Sequence, residues 1–230
     1  MKLSKSTSRL ASATALTCLL GLASQHASAV VTLNGCTGGD FGNACSLAEL
    51  VGGGNLAING NQFTNFGLDL FAGRALNASI IRINTIDSLI NPGFTLVDTG
   101  STLTFGNGDS TFSNFSFNVI GSSLIQGQSL AMAVGNMTGD NSYAHVYTNV
   151  FDPTLTSLLG QTDVYCDGVS DCANSTLNNS ALIALAVPRL SVYAGIDVLA
   201  DAAGTAQINS LTMQIRTYAN CIVMVGFLSC

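Results

Sequence analysis

The feature that most constrains this chain is the spacing of its cysteines. Six of its seven cysteines form three couples: Cys36 with Cys45, Cys166 with Cys172, and Cys221 with Cys230. Sequence alone does not fix how six cysteines pair, but nearness along the chain favours bridges within each couple. Clustered cysteines also ligate zinc, yet no Cys-x-x-Cys pair is present, which disfavours a zinc site. We therefore expect an exported, oxidised protein.

Residues 1–29 have the pattern of a secretory signal peptide. Lys2, Lys5 and Arg9 precede the apolar stretch Ala11–Ala23, and Ala27-Ser28-Ala29 is a small-residue cleavage site. The apolar stretch is shorter than the roughly 20 residues that span a bilayer, which favours cleavage before Val30 over a membrane anchor. A lipoprotein at Cys18 is a less favoured alternative. We expect secretion, to the extracellular space or the cell surface.

The remaining residues 30–230 have the length of one domain. Beyond the leader, four arginines and no lysine stand against thirteen acidic residues. An acidic surface repels phosphate backbones and anionic lipid headgroups. We expect no nucleic-acid partner and no membrane span in the mature chain.

Hydrophobic alternation predicts an all-β fold. Apolar and polar residues alternate through 114–119 and 211–216, and the apolar positions of 192–198 share one face, as half-buried strands require. Ala181–Val187 is apolar throughout, which predicts a central strand. Many short strands separated by turn residues indicate a two-sheet β-sandwich of jelly-roll type, with strands through Phe112–Asn118 and Ala206–Thr217.

One or two short helices accompany these strands in the prediction. Ser46 and Glu49 have the spacing of a capping box, and Leu47 and Leu50 would face the core. A second helix would begin at Asp152-Pro153 and end before Gly160, because proline favours the first helical position.

Several segments resemble bacterial exported proteins of the PEP-CTERM type. They are the run from Cys45 to Phe66, Asn91-Pro92-Gly93-Phe94, Phe112–Phe117 and Ala206–Thr217. The resemblance implies extracellular or surface material without assigned chemistry. The chain lacks the Val-Pro-Glu-Pro signal, the terminal membrane helix and the basic tail of that family. The expectation is a secreted or matrix-associated relative without the sorting tail.

The first candidate binding residues are aromatic. On a strand, Tyr143, His145 and Tyr147 would share one face and could contact a sugar or another ligand. An ordinary cross-strand cluster is the alternative. Catalysis by His145 would require a nucleophile and an orienting acid, and no nucleophile motif is present, so we predict no catalytic residues.

The second candidate site is acidic. The predicted loop from Asp163 to Cys172 holds three carboxylates, Asp163, Asp167 and Asp171, near the Cys166–Cys172 couple. Hard oxygen ligands in a flexible, glycine-containing loop suit Ca²⁺. The alternative is a solvated acidic surface. No other cofactor is expected.

These features predict a non-enzymatic, disulfide-bonded extracellular surface or matrix protein. A carbohydrate- or Ca²⁺-binding adhesion module is the alternative, and a secreted hydrolase is the second alternative. The expected partners are extracellular polysaccharide or other copies of the chain. Self-association could involve the apolar segment Ile222–Leu228, which would otherwise form a final core strand or hairpin.

Overall fold

A computed structural model describes residues 30–37, 44–169, 172–218, 222–224 and 227–229. The predicted leader, Asp171, Cys221 and Cys230 lie outside the described residues. The described part is built of strands, with a single α-helix and a short 3-10 helix at Ala78–Ile80. No described helix is long and apolar enough to cross a membrane. The elements are β1 (Val31–Asn34), β2 (Cys45–Ser46), α1 (Leu47–Val51), β3 (Asn55–Ile58), β4 (Asn61–Gly73), β5 (Ile81–Ile86), β6 (Gly93–Asp98), β7 (Thr104–Gly106), β8 (Ser110–Thr138), β9 (Tyr143–Phe151), β10 (Leu158–Asp167), β11 (Thr176–Leu199), β12 (Thr205–Thr217), β13 (Ile222–Met224) and β14 (Phe227–Ser229).

The strands form a β-sandwich of jelly-roll type, so the predicted fold class is confirmed. The first sheet has the order β1-β3-β4-β8-β11-β9-β10, and the second has the order β2-β5-β6-β12-β8-β11. Strands β8 and β11 are long enough to belong to both sheets. Every pairing is antiparallel. Strands β13 and β14 form a separate two-stranded pair.

The predicted alternation becomes the packing of the core. In β8 the side chains of Phe115, Phe117 and Val119 are buried, while the residues between them are partly exposed. Phe63 of β4 contacts Phe117, and Phe94 of β6 contacts both β8 phenylalanines. The Phe94 and Phe117 rings meet edge to face at a centroid distance of 5.1 Å. This geometry is the one that aromatic pairs prefer.

The predicted capping box is confirmed at the start of α1. The Glu49 amide donates to the Ser46 hydroxyl, and the Ser46 amide donates to the Glu49 carboxylate at 2.8 Å. The same carboxylate accepts from the amide and the hydroxyl of Thr37, both at 2.7 Å. Glu49 therefore joins the helix to the chain beside Cys36.

Two of the three sequential cysteine couples lie in the described residues, and both are disulfides. The Cα atoms are 5.2 Å apart in Cys36–Cys45 and 5.9 Å apart in Cys166–Cys172. The first holds the strand β1 segment next to β2, and the second joins the end of β10 to the turn before β11.

The prediction of a strand through Ala181–Val187 is confirmed, but the expectation that both of its faces are buried, as in a central strand, is wrong. These residues belong to β11, but Leu182 and Leu185 are 71% and 74% exposed. The pairing of β11 with β8 shifts register between Leu182 and Val187, at the point where β11 passes from one sheet to the other. Apolar composition on both faces here marks the corner of the sandwich, not its centre.

The predicted helix after Asp152 is also wrong. The Asp152 carboxylate accepts hydrogen bonds from the amides of Thr156 and Ser157 at 2.9 and 3.2 Å. Leu155 has a φ of 59°, which a right-handed helix does not allow. The aspartate closes the loop between β9 and β10, because its side chain competes with helix formation for backbone amides.

Candidate functional site

The outer surface of the first sheet carries a cluster of aromatic and acidic side chains. Alternation on β9 turns Tyr143, His145 and Tyr147 outward, since the intervening residues are buried. The register of the sheet places β10 on one side of this row and β11 on the other. We call this surface the aromatic face. Its members are Tyr143, His145, Tyr147, Asp163, Tyr165, Tyr193, Gly195 and Asp197.

The rings of the aromatic face contact one another across two strands. Tyr165 of β10 lies opposite His145 of β9, and their ring centroids are 5.8 Å apart. Tyr165 also stacks on Tyr143 at 6.2 Å, and His145 meets Tyr147 at 5.6 Å. Tyr165 is 51% exposed. The four rings form one continuous surface that is open to solvent.

A glycine makes room for the ring of Tyr147. Gly195 of β11 lies opposite Tyr147 in the register, and a methyl group added at Gly195 would overlap the far end of the tyrosine ring. The ring therefore extends across the neighbouring strand with one side against the backbone. A ring held in this way presents its other side as a platform.

Carboxylates surround the rings. The Tyr143 hydroxyl donates to Asp197 at 3.1 Å, and the imidazole Nε2 of His145 is 3.9 Å from the carboxylate of Asp163. Burial, followed by the charge of Asp197, raises the pKa of Tyr143 above its usual value. Burial, with a contribution from Asp167, likewise raises the pKa of Tyr165. Both phenols are neutral near neutral pH.

The surface continues from the aromatic face toward β4. Asp197 lies opposite Phe112 of β8, and Phe112 contacts the exposed ring of Phe71 at 5.4 Å. In the next row, Asn114 of β8 lies opposite Asp69. The sheet therefore offers further aromatic and polar groups in line with the tyrosines.

Four residues of the aromatic face are predicted as site residues from the sequence: Tyr143, His145 and Tyr147 as ligand contacts, and Asp163 as a calcium ligand. The structure brings Tyr143, His145 and Tyr147 to one face, as the period-two pattern of their strand implies. Tyr165 and Asp197 are missing from the prediction because they lie far away in sequence, at 20 and 52 residues from His145. The alternation of Tyr165 with buried Val164 and Cys166 was a usable signal for its direction, but only the register shows what it faces.

The carboxylates predicted to bind Ca²⁺ occupy different surroundings. Asp163 and Asp167 both belong to strand β10, so the prediction that Asp163 lies in a flexible acidic loop is wrong. Four residues of strand separate their Cα atoms by about 13 Å. Asp171 lies outside the described residues, within which no cluster of three or more metal-ligating side chains occurs. Calcium binding stays a prediction.

The surroundings of His145 suit contact with a ligand. The described partners of its ring are Asp163, Tyr147 and Tyr165. None of these is a serine, threonine or cysteine, the nucleophiles that a neighbouring base usually activates in hydrolases. The arrangement can stack a flat apolar surface and accept hydrogen bonds from hydroxyl groups.

Comparison with known proteins gives similarity of fold. No family model matches the chain, and no curated protein matches it. Solved structures with a similar fold include TmCBM61 in complex with beta-1,4-galactotriose, with a TM-score of 0.33 and 7% identity over 64% of this chain and 86% of that one. The xylan-binding module CBM15 has a TM-score of 0.33 and 13% identity, over 67% of this chain and 92% of that one. TmCBM27, a carbohydrate-binding module with specific mannan recognition, has a TM-score of 0.33 and 10% identity, over 82% of this chain and 99% of that one. At these TM-scores the neighbours carry no argument about this chain.

Proposed function

We propose that this protein is an extracellular, non-catalytic carbohydrate-binding module that holds a glycan on the aromatic face. The observation that carries the proposal is the continuous row of Tyr143, Tyr165, His145 and Tyr147. The Tyr143 hydroxyl donates a hydrogen bond to Asp197 at 3.1 Å, and the Asp163 carboxylate is 3.9 Å from the Nε2 atom of His145. The two disulfides accord with an extracellular location.

Sugar rings can make two kinds of interaction with the aromatic face, apolar stacking and hydrogen bonds. The C–H groups of a pyranose form an apolar patch that packs on an aromatic ring, and tyrosine provides contact area at low entropic cost. Sugar hydroxyls donate hydrogen bonds, and Asp163 and Asp197 are acceptors at the edges of the rings. Pocket-like sites usually combine apolar contact with a few polar groups that fix orientation. The aromatic face has both.

The charge of the face favours an uncharged glycan. Asp163 and Asp197 belong to it, Asp167 ends the same strand as Asp163, and Asp69 lies in line on β4. A uronate or sulfate group placed among these carboxylates would be repelled. We propose a neutral polysaccharide as the ligand class.

The proposal refines the expectation of a surface or matrix component. Attachment to an extracellular polysaccharide would retain a secreted protein near its cell. We propose that the resemblance to PEP-CTERM proteins reflects common descent as exported surface material. The Cys45–Phe66 run supports it, because it contains the capping box that the structure uses.

Affinity electrophoresis through gels containing soluble neutral glucans, xylans, mannans or galactans tests the proposal. We expect retardation by at least one neutral polysaccharide. Tyr147→Ala should weaken binding at least tenfold, which corresponds to about 1.4 kcal/mol. Tyr218→Ala is the matched control, since Tyr218 is 50% exposed but follows β12.

Gly195→Ala provides a sharper variant because it keeps every tyrosine. The added methyl group would displace only the far end of the Tyr147 side chain, so the fold should persist while the platform is lost. Binding that survives in both Tyr147→Ala and Gly195→Ala would refute the proposed site. A lack of binding to every neutral glycan would refute the function.

A further inference from the structure

A groove lies on the outer surface of the second sheet, away from the aromatic face. Strands β11, β8 and β12 are neighbours there, and Ser129 of β8 lies between Ser180 and Gln214, while Gly127 lies between Leu182 and Arg216. Because Gly127 and Ser129 have little or no side chain, the central strand forms a low floor between two walls. The groove has a volume of about 500 Å³, within the range of small-ligand sites.

Hydrogen bonds fix one end of this groove. The Gln214 side chain donates to the backbone carbonyl of Asn91 at 2.8 Å. The Ile215 amide donates to the carbonyl of Pro92 at 3.0 Å, and the Thr217 amide donates to that of Ile90 at 2.9 Å. These bonds hold the segment before β6 against β12. The groove is therefore preformed, which lowers the entropic cost of binding.

Arg216 gives the groove a positive charge in an acidic protein. Its side chain is exposed at the groove wall, and the ion pairs found within the described residues are Arg74 with Asp109 and His145 with Asp163. The residues that line the groove include no aspartate or glutamate. Arg216 thus has no carboxylate partner in the described part of the chain, and its planar fork of donors matches a carboxylate in two-point contact.

We propose that this groove binds a carboxylate-bearing sugar, a hexuronate, with its carboxylate on Arg216. Ser129, Ser180 and the amide oxygen of Gln214 lie beside the arginine and can bond sugar hydroxyls. Ile90 and Leu182 also line the groove and provide apolar contact for the ring. The two outer surfaces of the sandwich then have opposite selectivity, because the aromatic face is acidic and this groove carries a cation.

Titration calorimetry of the oxidised protein with three probes tests this site. The probes are D-glucuronate, D-glucose as the neutral analogue, and acetate as a carboxylate without a sugar ring. In the Tyr147→Ala protein, which lacks the platform of the aromatic face, we expect saturable binding of glucuronate but not of glucose or acetate. Added salt should weaken this binding because the contact is ionic. Loss of a charge-assisted hydrogen-bonded contact in Arg216→Gln should weaken it about tenfold to a hundredfold.

Arg216→Lys keeps the positive charge but lacks the planar fork of donors. Its affinity for glucuronate should lie between that of wild type and that of Arg216→Gln. Arg189→Gln is the matched control, since Arg189 is also exposed but lines a separate cavity with Asn118 and Ser191. Tyr147→Ala should leave glucuronate binding unchanged, which separates this site from the aromatic face. Absence of glucuronate binding, equal binding of acetate, or full affinity in Arg216→Gln would each overturn the proposal.

Discussion

The clearest electrostatic prediction concerns Glu49, the single glutamate of the chain. Backbone bonding from Ser46, followed by bonding from the Thr37 hydroxyl, lowers its pKa from 4.5 to about 2, against the opposing effect of burial. Glu49→Gln removes the charge that accepts these bonds while keeping the size of the side chain. It also places amide hydrogens against groups that are themselves donors.

The magnitude follows from linkage between ionisation and folding. Without screening by solvent, a pKa shift of this size corresponds to about 3 kcal/mol of unfolding free energy. The side chain is partly exposed, and screening by solvent reduces the expected loss to about 1–2 kcal/mol. Since the folded-state pKa is lowered, the stabilisation is complete above about pH 4.5 and is lost as the pH falls through about 2.

Urea denaturation of the oxidised protein at pH 7, 5, 3 and 2 measures this effect. The unfolding free energy of wild type should exceed that of Glu49→Gln by about 1–2 kcal/mol at pH 7 and 5. The two unfolding free energies should converge as the pH approaches 2. Asp69→Asn is the control, because Asp69 is an exposed carboxylate on β4, and this variant should change the unfolding free energy little at any pH. A deficit of Glu49→Gln that is equal at pH 7 and pH 2 would refute the electrostatic reasoning, because it would reflect packing.

Three further predictions concern bridges, buried polar groups and phenols. Replacing Cys166 and Cys172 together by alanine should lower the unfolding free energy by about 2 kcal/mol, measured by denaturant titration against oxidised wild type. Gln128→Leu should cost about 1–3 kcal/mol, because the buried amide bonds two threonine hydroxyls between the sheets; an unchanged thermal melt would contradict this. Asp197→Asn should lower the pKa of Tyr143 toward 10.0, seen by ultraviolet titration of tyrosine, and wild-type stability from this phenol should be lost as the pH rises through its raised pKa.

Local sequence patterns were sufficient for much of the fold. The alternation in β8 and β12 and the capping box at Ser46 depend on residues within one strand or one helical turn, so they can be read from the chain. Ala181–Val187 shows the limit of this approach. Apolar residues on both faces suit a central strand, but β11 changes sheets there, and a change of sheet depends on strands distant in sequence.

The candidate site was predictable to the same extent. Period-two spacing placed Tyr143, His145 and Tyr147 on one face without any knowledge of the sheet. The partners of those rings, Tyr165 and Asp197, come from strands on either side. Their positions depend on antiparallel register, which alternation within a single strand does not define.

Tyrosine resonances offer the most direct test of the aromatic face as a glycan site. The chain has five tyrosines and no tryptophan, and Tyr218 alone lies away from the face. With tyrosine rings labelled with ¹³C, titration with the neutral oligosaccharide found by electrophoresis should shift the ring signals of Tyr143, Tyr147 and Tyr165 along one binding curve and leave Tyr218 in place. Binding that leaves these three signals unmoved, or that shifts Tyr218 alone, would contradict the account.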